Sequence, residues 1–190
     1  MDVLKERIIK DGVAIGTEIL KVDSFLNHQI DVMLLDEIGR EFQRIFADCG
    51  VTKILTIEAS GIPIACFAAM HFGGIPVVFA KKTAPNTMTE EFFGSEVKSF
   101  TKGTVSVARI SKKYLSPEDR VLVLDDFLAH GEAAFGLSDL VGQAGAKLVG
   151  VGAVIEKQFQ GGGKRLRDAG IRVESLAVVK AIKDGCIEFV

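Results

Sequence analysis

Two adjacent carboxylates, Asp125 and Asp126, close the apolar run Val121-Leu122-Val123-Leu124. Phe127-Leu128 and the small loop Ala129-His130-Gly131-Glu132-Ala133 follow, and a helical pattern begins at Glu132. In open α/β sheets, ligands bind outside the carboxyl ends of the strands. A helix N-terminus there offers unpaired N–H groups and a positive dipole end to a phosphate. The carboxylates suit ribose hydroxyls or a hydrated metal ion, since both want oxygen acceptors. One strand-loop-helix unit thus joins a phosphate cradle to a sugar clamp. The plain alternative is an acidic pair that ends a strand and caps a helix.

A second strand-turn-helix unit is Thr56-Ile57-Glu58-Ala59-Ser60-Gly61-Ile62-Pro63. Its turn can present N–H groups to an anion, although a lone Gly turn before a helix is often only structural. Lys81-Lys82 supplies two cations that suit charge developing on an anionic leaving group, or else forms an ordinary solvated pair. His28 and His71 have no ligand-spaced partner, which argues against a histidine metal site.

These residues need elements to position them. Leu34, Leu35, Ile38, Phe42, Ile45 and Phe46 recur at helical spacing over 31–48, with Asp31 as N-cap and Gly50 as stop. Short apolar runs at 53–57, 76–80, 105–110, 121–124 and 148–155 read as strands, with helices between several of them and over 132–144. That alternation predicts an α/β fold with a mainly parallel sheet covered on both faces. Residues 81–104 break the pattern and read as a long functional loop, a lid.

The chain has 190 residues, 48% hydrophobic and 25% charged, which suits one globular domain. A net charge of -2 argues against a nucleic-acid binder. The uncharged stretch 61–80 matches a bilayer span in length, but Pro63, Gly73, Gly74 and Pro76 punctuate it. A short helix, a turn and a strand explain it better, so no membrane role is expected. Cys49, Cys66 and Cys186 lack paired spacing and read as buried, reduced thiols of a cytoplasmic protein. A Rossmann-type oxidoreductase would need Gly-x-Gly-x-x-Gly after an early strand, and none occurs.

The segment 121–133 resembles the phosphoribosyl pyrophosphate (PRPP) signature of the type I phosphoribosyltransferases. Residues 20–31 (Leu-Lys-Val-Asp-Ser-Phe-Leu-Asn-His-Gln-Ile-Asp) and 155–159 (Ile-Glu-Lys-Gln-Phe) are similar to segments of the bacterial xanthine enzymes of that family. The resemblance implies a five-stranded parallel sheet, a homodimer, and a base-covering hood from about 1–30 plus 156–190. It implies purine salvage: transfer of the phosphoribosyl group from PRPP to xanthine, with Mg2+ carried on PRPP and met by Asp125 or Asp126 through water. Asp125 and Asp126 take the catalytic positions. Ala129, His130, Gly131, Glu132, Ala133, Ala59, Ser60, Gly61 and Lys81 fall at PRPP. Leu20, Asn27 and Lys157 fall at xanthine, with Phe127 or Phe159 stacking on the purine.

The family's xanthine enzymes usually show Ala-Asn-Gly-Gln-Ala where this chain has Ala129-His130-Gly131-Glu132-Ala133. Glu132 is therefore expected to face away from the phosphate, as a first-turn residue that suits the helix dipole. Lys157, an ammonium with donors only, favours an oxygen at purine position 6 over an amino group. A donor near position 2, from backbone or Asn27, would select among the 6-oxopurines. Alternatives are a guanine/hypoxanthine enzyme and a non-catalytic purine- or PRPP-sensing regulator. Repressors of this fold family carry a DNA-binding region, for which the first helix here is too short.

Overall fold

The computed structural model describes residues 1–82, 91–99, 104–183 and 185–190. Its elements in chain order are α1 (Asp2–Asp11), β1 (Val13–Ile15), β2 (Ile19–Lys21), α2 (Val32–Ile45), β3 (Lys53–Ile57), α3 (Gly61–His71) and β4 (Val77–Ala80). Then come β5 (Phe92–Ser99), β6 (Thr104–Ser111), β7 (Arg120–Leu128), α4 (Glu132–Gln143), β8 (Lys147–Lys157), α5 (Gly162–Asp168), β9 (Val173–Lys183) and β10 (Cys186–Phe189).

The central sheet has the order β10-β9-β8-β7-β3-β4. Five of these strands are parallel, and β10 adds an antiparallel edge through its pairing with β9. Alternation along the buried strands separates two cores. Ile54, Leu122 and Leu124 face α2, α3 and the N-terminal segment. Leu55, Val121 and Val123 face α4 and the β5–β6 ribbon. Both faces are apolar, as a sheet covered by helices on each side requires.

Helix α2 follows its sequence signals. Asp31 Oδ1 accepts from the Met33 and Leu34 N–H groups, both at 3.2 Å. A 3-10 turn over Ala47–Cys49 extends the helix, and Gly50 stops it at φ 59°. The face it buries reaches β8, where a Cβ on Gly152 would lie 2.7 Å from the Phe42 ring. His71 Nε2 meets Asp36 Oδ1 at 2.8 Å, tying α3 to α2. The apolar stretch 61–80 is α3, a turn and β4, and among the described residues no helix is long and apolar enough to cross a membrane.

Three expectations need correction. Residues 105–110 form a strand, but it pairs with β5 in an antiparallel ribbon separate from the central sheet, joined to the end of β4 by one bridge from Arg109 to Lys81. The presumed lid loop 81–104 therefore holds strand β5, while 83–90 and 100–103 lie outside the described residues. The ribbon docks on α4, where Gln143 Nε2 donates to Gly94 O at 2.8 Å. Second, the segment 156–190 is not all hood, because β9 and β10 extend the sheet. The N-terminal segment does lie against that end of the sheet: the Met1 ammonium donates to Leu176 O at 2.8 Å. Third, Cys66 and Cys186 are exposed and Cys49 half-buried, because α3 turns Cys66 outward and β10 is an edge strand.

Candidate active site

The carboxyl ends of β7 and β8, the first turn of α4, the β1–β2 turn and the β5–β6 ribbon enclose a cavity of about 670 Å³. Its walls include Asp125, Phe127, the whole loop 129–133 and Lys157. That volume falls within the range of small-molecule sites.

Strand β7 runs past the acidic pair to Leu128, so the carboxylates lie in the strand's last turn of pleat, not beyond it. Asp125 Oδ1 accepts from the Asp126 N–H at 3.0 Å, and Asp126 Oδ1 accepts from the Phe127 N–H at 2.9 Å. Asn27 Nδ2 donates to Asp126 Oδ2 at 3.2 Å, bringing a residue 99 positions away onto the pair. Burial, then the neighbouring Asp126 charge, pushes the Asp125 carboxyl well above its ordinary range, with Lys82 opposing. Cavity solvent reaches this side chain from one side while protein surrounds it elsewhere.

The loop 129–133 turns through Gly131 at φ 87°, and α4 begins at Glu132. Its backing is α5. The Gly162 N–H donates to Ala129 O at 2.9 Å, and a Cβ on Gly162 would sit 2.3 Å from that carbonyl oxygen. Glu132 does not simply face away: it lines the cavity, and its carboxylate accepts from Arg165 Nη1 at 2.7 Å.

Lys157 ends β8 and donates to Glu18 O at 2.9 Å, with Nζ 5.3 Å from the Phe127 ring centre. Burial lowers its pKa, countered by Glu18. An ammonium keeps two further donors beyond that one bond. Phe127 lines the cavity; Phe159 does not and is 39% exposed. Leu20 is buried in the core rather than on the cavity wall, where Glu18 and Ile19 stand instead. Asn27 already spends its amide on Asp126, and its buried Oδ1 has no protein partner. Asn27 is not on the cavity wall, and the structure places it behind the acidic pair through its bond to Asp126.

The turn Ala59-Ser60-Gly61 stands beside the cavity without lining it. A Cβ on Gly61 would lie 2.0 Å from Thr56 Oγ1 and 3.4 Å from Asp125 Oδ1, so this turn abuts the acidic pair. The peptide between Glu58 and Ala59 is cis. Lys81 is not at the cavity: its backbone bridges to Arg109 and its ammonium lies 5.9 Å from the Phe79 ring centre. Lys82 is there instead, with its N–H bonded to Glu58 Oε1 at 2.6 Å. The sequence marked the pair, and the structure places Lys82 rather than Lys81 on the cavity wall. The sequence did not mark Lys98 and Ser106 of the ribbon, or Gln160, all on the cavity wall. The Gln160 side-chain Oε1 is buried and unpartnered among the described residues, a signal that only structure provides.

No family model matches the chain. It is 55% identical to a xanthine phosphoribosyltransferase of Ruminiclostridium cellulolyticum, over 100% of this chain and 99% of the relative. It is 56% identical to that of Clostridium novyi and 50% to one of Staphylococcus aureus, again over 100% of this chain, and over 99% and 98% of those relatives. The fold is shared with adenine phosphoribosyltransferase from Rhodothermus marinus, with a TM-score of 0.74 at 22% identity over 94% of this chain and 100% of the other. The adenine enzyme of Thermoanaerobacter pseudethanolicus gives 0.68 at 22% identity, over 78% and 81%.

Proposed function

The chain belongs to the xanthine phosphoribosyltransferase family, and we propose that it transfers the phosphoribosyl group of PRPP to xanthine, giving xanthosine 5'-monophosphate and pyrophosphate. One observation carries the assignment beyond the likeness: Asp125 of the acidic pair, the 129–133 loop and Lys157 line a single cavity.

The reaction is substitution at the anomeric carbon of ribose. A base nitrogen forms the new C–N bond, the C–O bond to pyrophosphate breaks, and the base's N–H proton leaves. The transition state resembles an oxocarbenium ion, so the protein's work is orientation and water exclusion. Loop 129–133 holds the 5'-phosphate on the N–H groups that a helix's first turn leaves unpaired. Asp125 and Asp126 hold the ribose hydroxyls. Lys82 and the 59–61 turn stand toward the pyrophosphate, and the β5–β6 ribbon, which lines the cavity through Val97, Lys98 and Ser106, helps exclude water. Lys157 donates to the oxygen at position 6, Phe127 packs on the purine, and Asn27 orients Asp126 through its amide.

Among the described residues no three His, Cys, Asp or Glu side chains form a metal cage. The oxygen donors present would suit a hydrated Mg2+ borne by PRPP, and Asp125 or Asp126 would hold it through water. When bound, it neutralises charge on the leaving pyrophosphate. A homodimer belongs to the same proposal, by the family resemblance. Exposed free thiols on Cys66 and Cys186 support a reducing compartment, the cytoplasm.

The test is a spectrophotometric screen of xanthine, guanine, hypoxanthine and adenine with PRPP and magnesium. Turnover of xanthine supports the reading. Binding of PRPP without turnover of any base would favour a sensor instead.

A further inference from the structure

The phosphate loop of this chain carries its own negative charge. Glu132 is the first residue of α4, on the cavity wall, where an incoming phosphate meets the helix N-terminus. A carboxylate there attracts the helix dipole but repels the ligand. Its charge is answered from another element. Arg165, in α5, sends Nη1 to Glu132 Oε1 and to the His130 carbonyl, each at 2.7 Å. Its guanidinium carbon also lies 5.1 Å from the Phe135 ring centre. One side chain thus grips the loop by a carboxylate, a carbonyl and a ring within six residues.

Those contacts do more than balance charge. The peptide between His130 and Gly131 is trans, so fixing its carbonyl also fixes the Gly131 N–H on the opposite side. The Gly162 N–H holds the Ala129 carbonyl in the same way. Helix α5 therefore sets the orientation of successive peptides in the loop.

We propose that Arg165 is a positioning residue for the phosphoribosyl donor, cancelling the Glu132 charge and fixing the loop that receives the 5'-phosphate. This rests on reading 129–133 as the phosphate loop. Arg165 touches no reacting atom, so its effect falls on donor affinity rather than on the chemical step. The side chains of Arg165 and Glu132 are 53% and 23% exposed, so salt screens part of the effect.

The experiment is a double-mutant cycle on the full chain. Steady-state kinetics are measured for the parent, Arg165→Ala, Arg165→Gln, Glu132→Gln and Arg165→Gln/Glu132→Gln. Arg165→Gln keeps part of the aliphatic stem and a hydrogen-bond donor, so the cycle stands even if the alanine variant fails to fold. Removing Arg165 alone raises KM for PRPP about tenfold, with kcat and the xanthine KM within about threefold of the parent. The double variant returns the PRPP KM to within about threefold, because the uncompensated charge is gone. The excess KM of Arg165→Gln also shrinks between 50 and 500 mM salt. Calorimetric titration of each protein with magnesium-PRPP and with ribose 5-phosphate separates the two levels of inference. A parent that binds neither ligand overturns the phosphate-loop reading itself. A parent that binds both, with Arg165→Gln equal to it or no recovery in the double variant, overturns the role of Arg165 alone.

Discussion

Asp125→Asn should weaken the enzyme and strengthen the fold. In the ligand-free protein, burial and the adjacent Asp126 charge push the Asp125 carboxyl well above its usual range. The folded state therefore binds a proton that the unfolded chain has already released. The sign follows: Asp125 contributes full stability below the ordinary carboxylate value of 3.8, and this is lost as pH rises through the raised folded value. Asparagine has nothing to lose over that range, and its Oδ1 can still accept the Asp126 N–H, now at 3.0 Å. Every tenfold change in proton affinity is worth about 1.4 kcal/mol, and cavity water screens the charge, so a gain of about 1–2 kcal/mol near pH 8 is expected. For a chain of this size, that raises the melting midpoint by roughly 3–6 °C. Thermal melts of both proteins, without ligands, from pH 4.5 to 8.5 test this, alongside steady-state rates. The parent's curve should fall away from the variant's as pH rises, while the variant's kcat/KM drops about 100-fold or more. Parallel pH curves with no gain at pH 8 would refute the account of a strained carboxyl. Near-parental turnover would remove Asp125 from the site.

Other perturbations address other parts. Lys157→Met should cut kcat/KM for xanthine by about 100-fold, because a buried 6-oxygen loses a charged donor, yet leave PRPP affinity by calorimetry within about threefold. Burial raises the Glu156 carboxyl, but hydrogen bonds from Arg167 and Ser175 outweigh it and the net shift is downward. Its stabilisation is therefore present above the ordinary value of 4.5 and lost as pH falls through the lowered one. Glu156→Gln should cost about 2 kcal/mol at pH 7 and flatten the acid limb of the melting profile. Gly162→Ala would place a Cβ 2.3 Å from the Ala129 carbonyl oxygen. The loop must move, so the PRPP KM should rise about tenfold or more while circular dichroism stays native.

Strands β3, β4, β7 and β8 and the acidic pair were legible because their signals are local, whereas β9 and β10 of the same sheet were not among the expected strands. A buried apolar strand ending in Asp125-Asp126 needs no distant partner to be recognised, and the helix at 31–48 carries its own cap and stop. Strand β5 was not legible. Its Phe92-Phe93-Gly94-Ser95-Glu96-Val97-Lys98 mixes charges and Gly as loops do, because the ribbon is half exposed and held by α4. Lys81 and Lys82 could not be told apart because successive residues at a strand end point oppositely, and a single step of parity decides which one meets the cavity. The outward thiol of Cys66 was misread because α3 is apolar nearly all round, so its sequence does not mark the exposed face. Arg165 stayed invisible because its partners, His130 and Glu132, lie more than thirty residues away.

The most direct test of the central claim is the initial rate of the purified protein with PRPP, magnesium and each of four purines. Xanthine should be the best substrate and adenine the worst, because the Lys157 ammonium meets an oxygen at position 6 in one and an amino group in the other. That mismatch is worth roughly 1–3 kcal/mol, about 5- to 150-fold in kcat/KM. A protein that uses adenine as well as xanthine, or that turns over none of the four, would contradict the account.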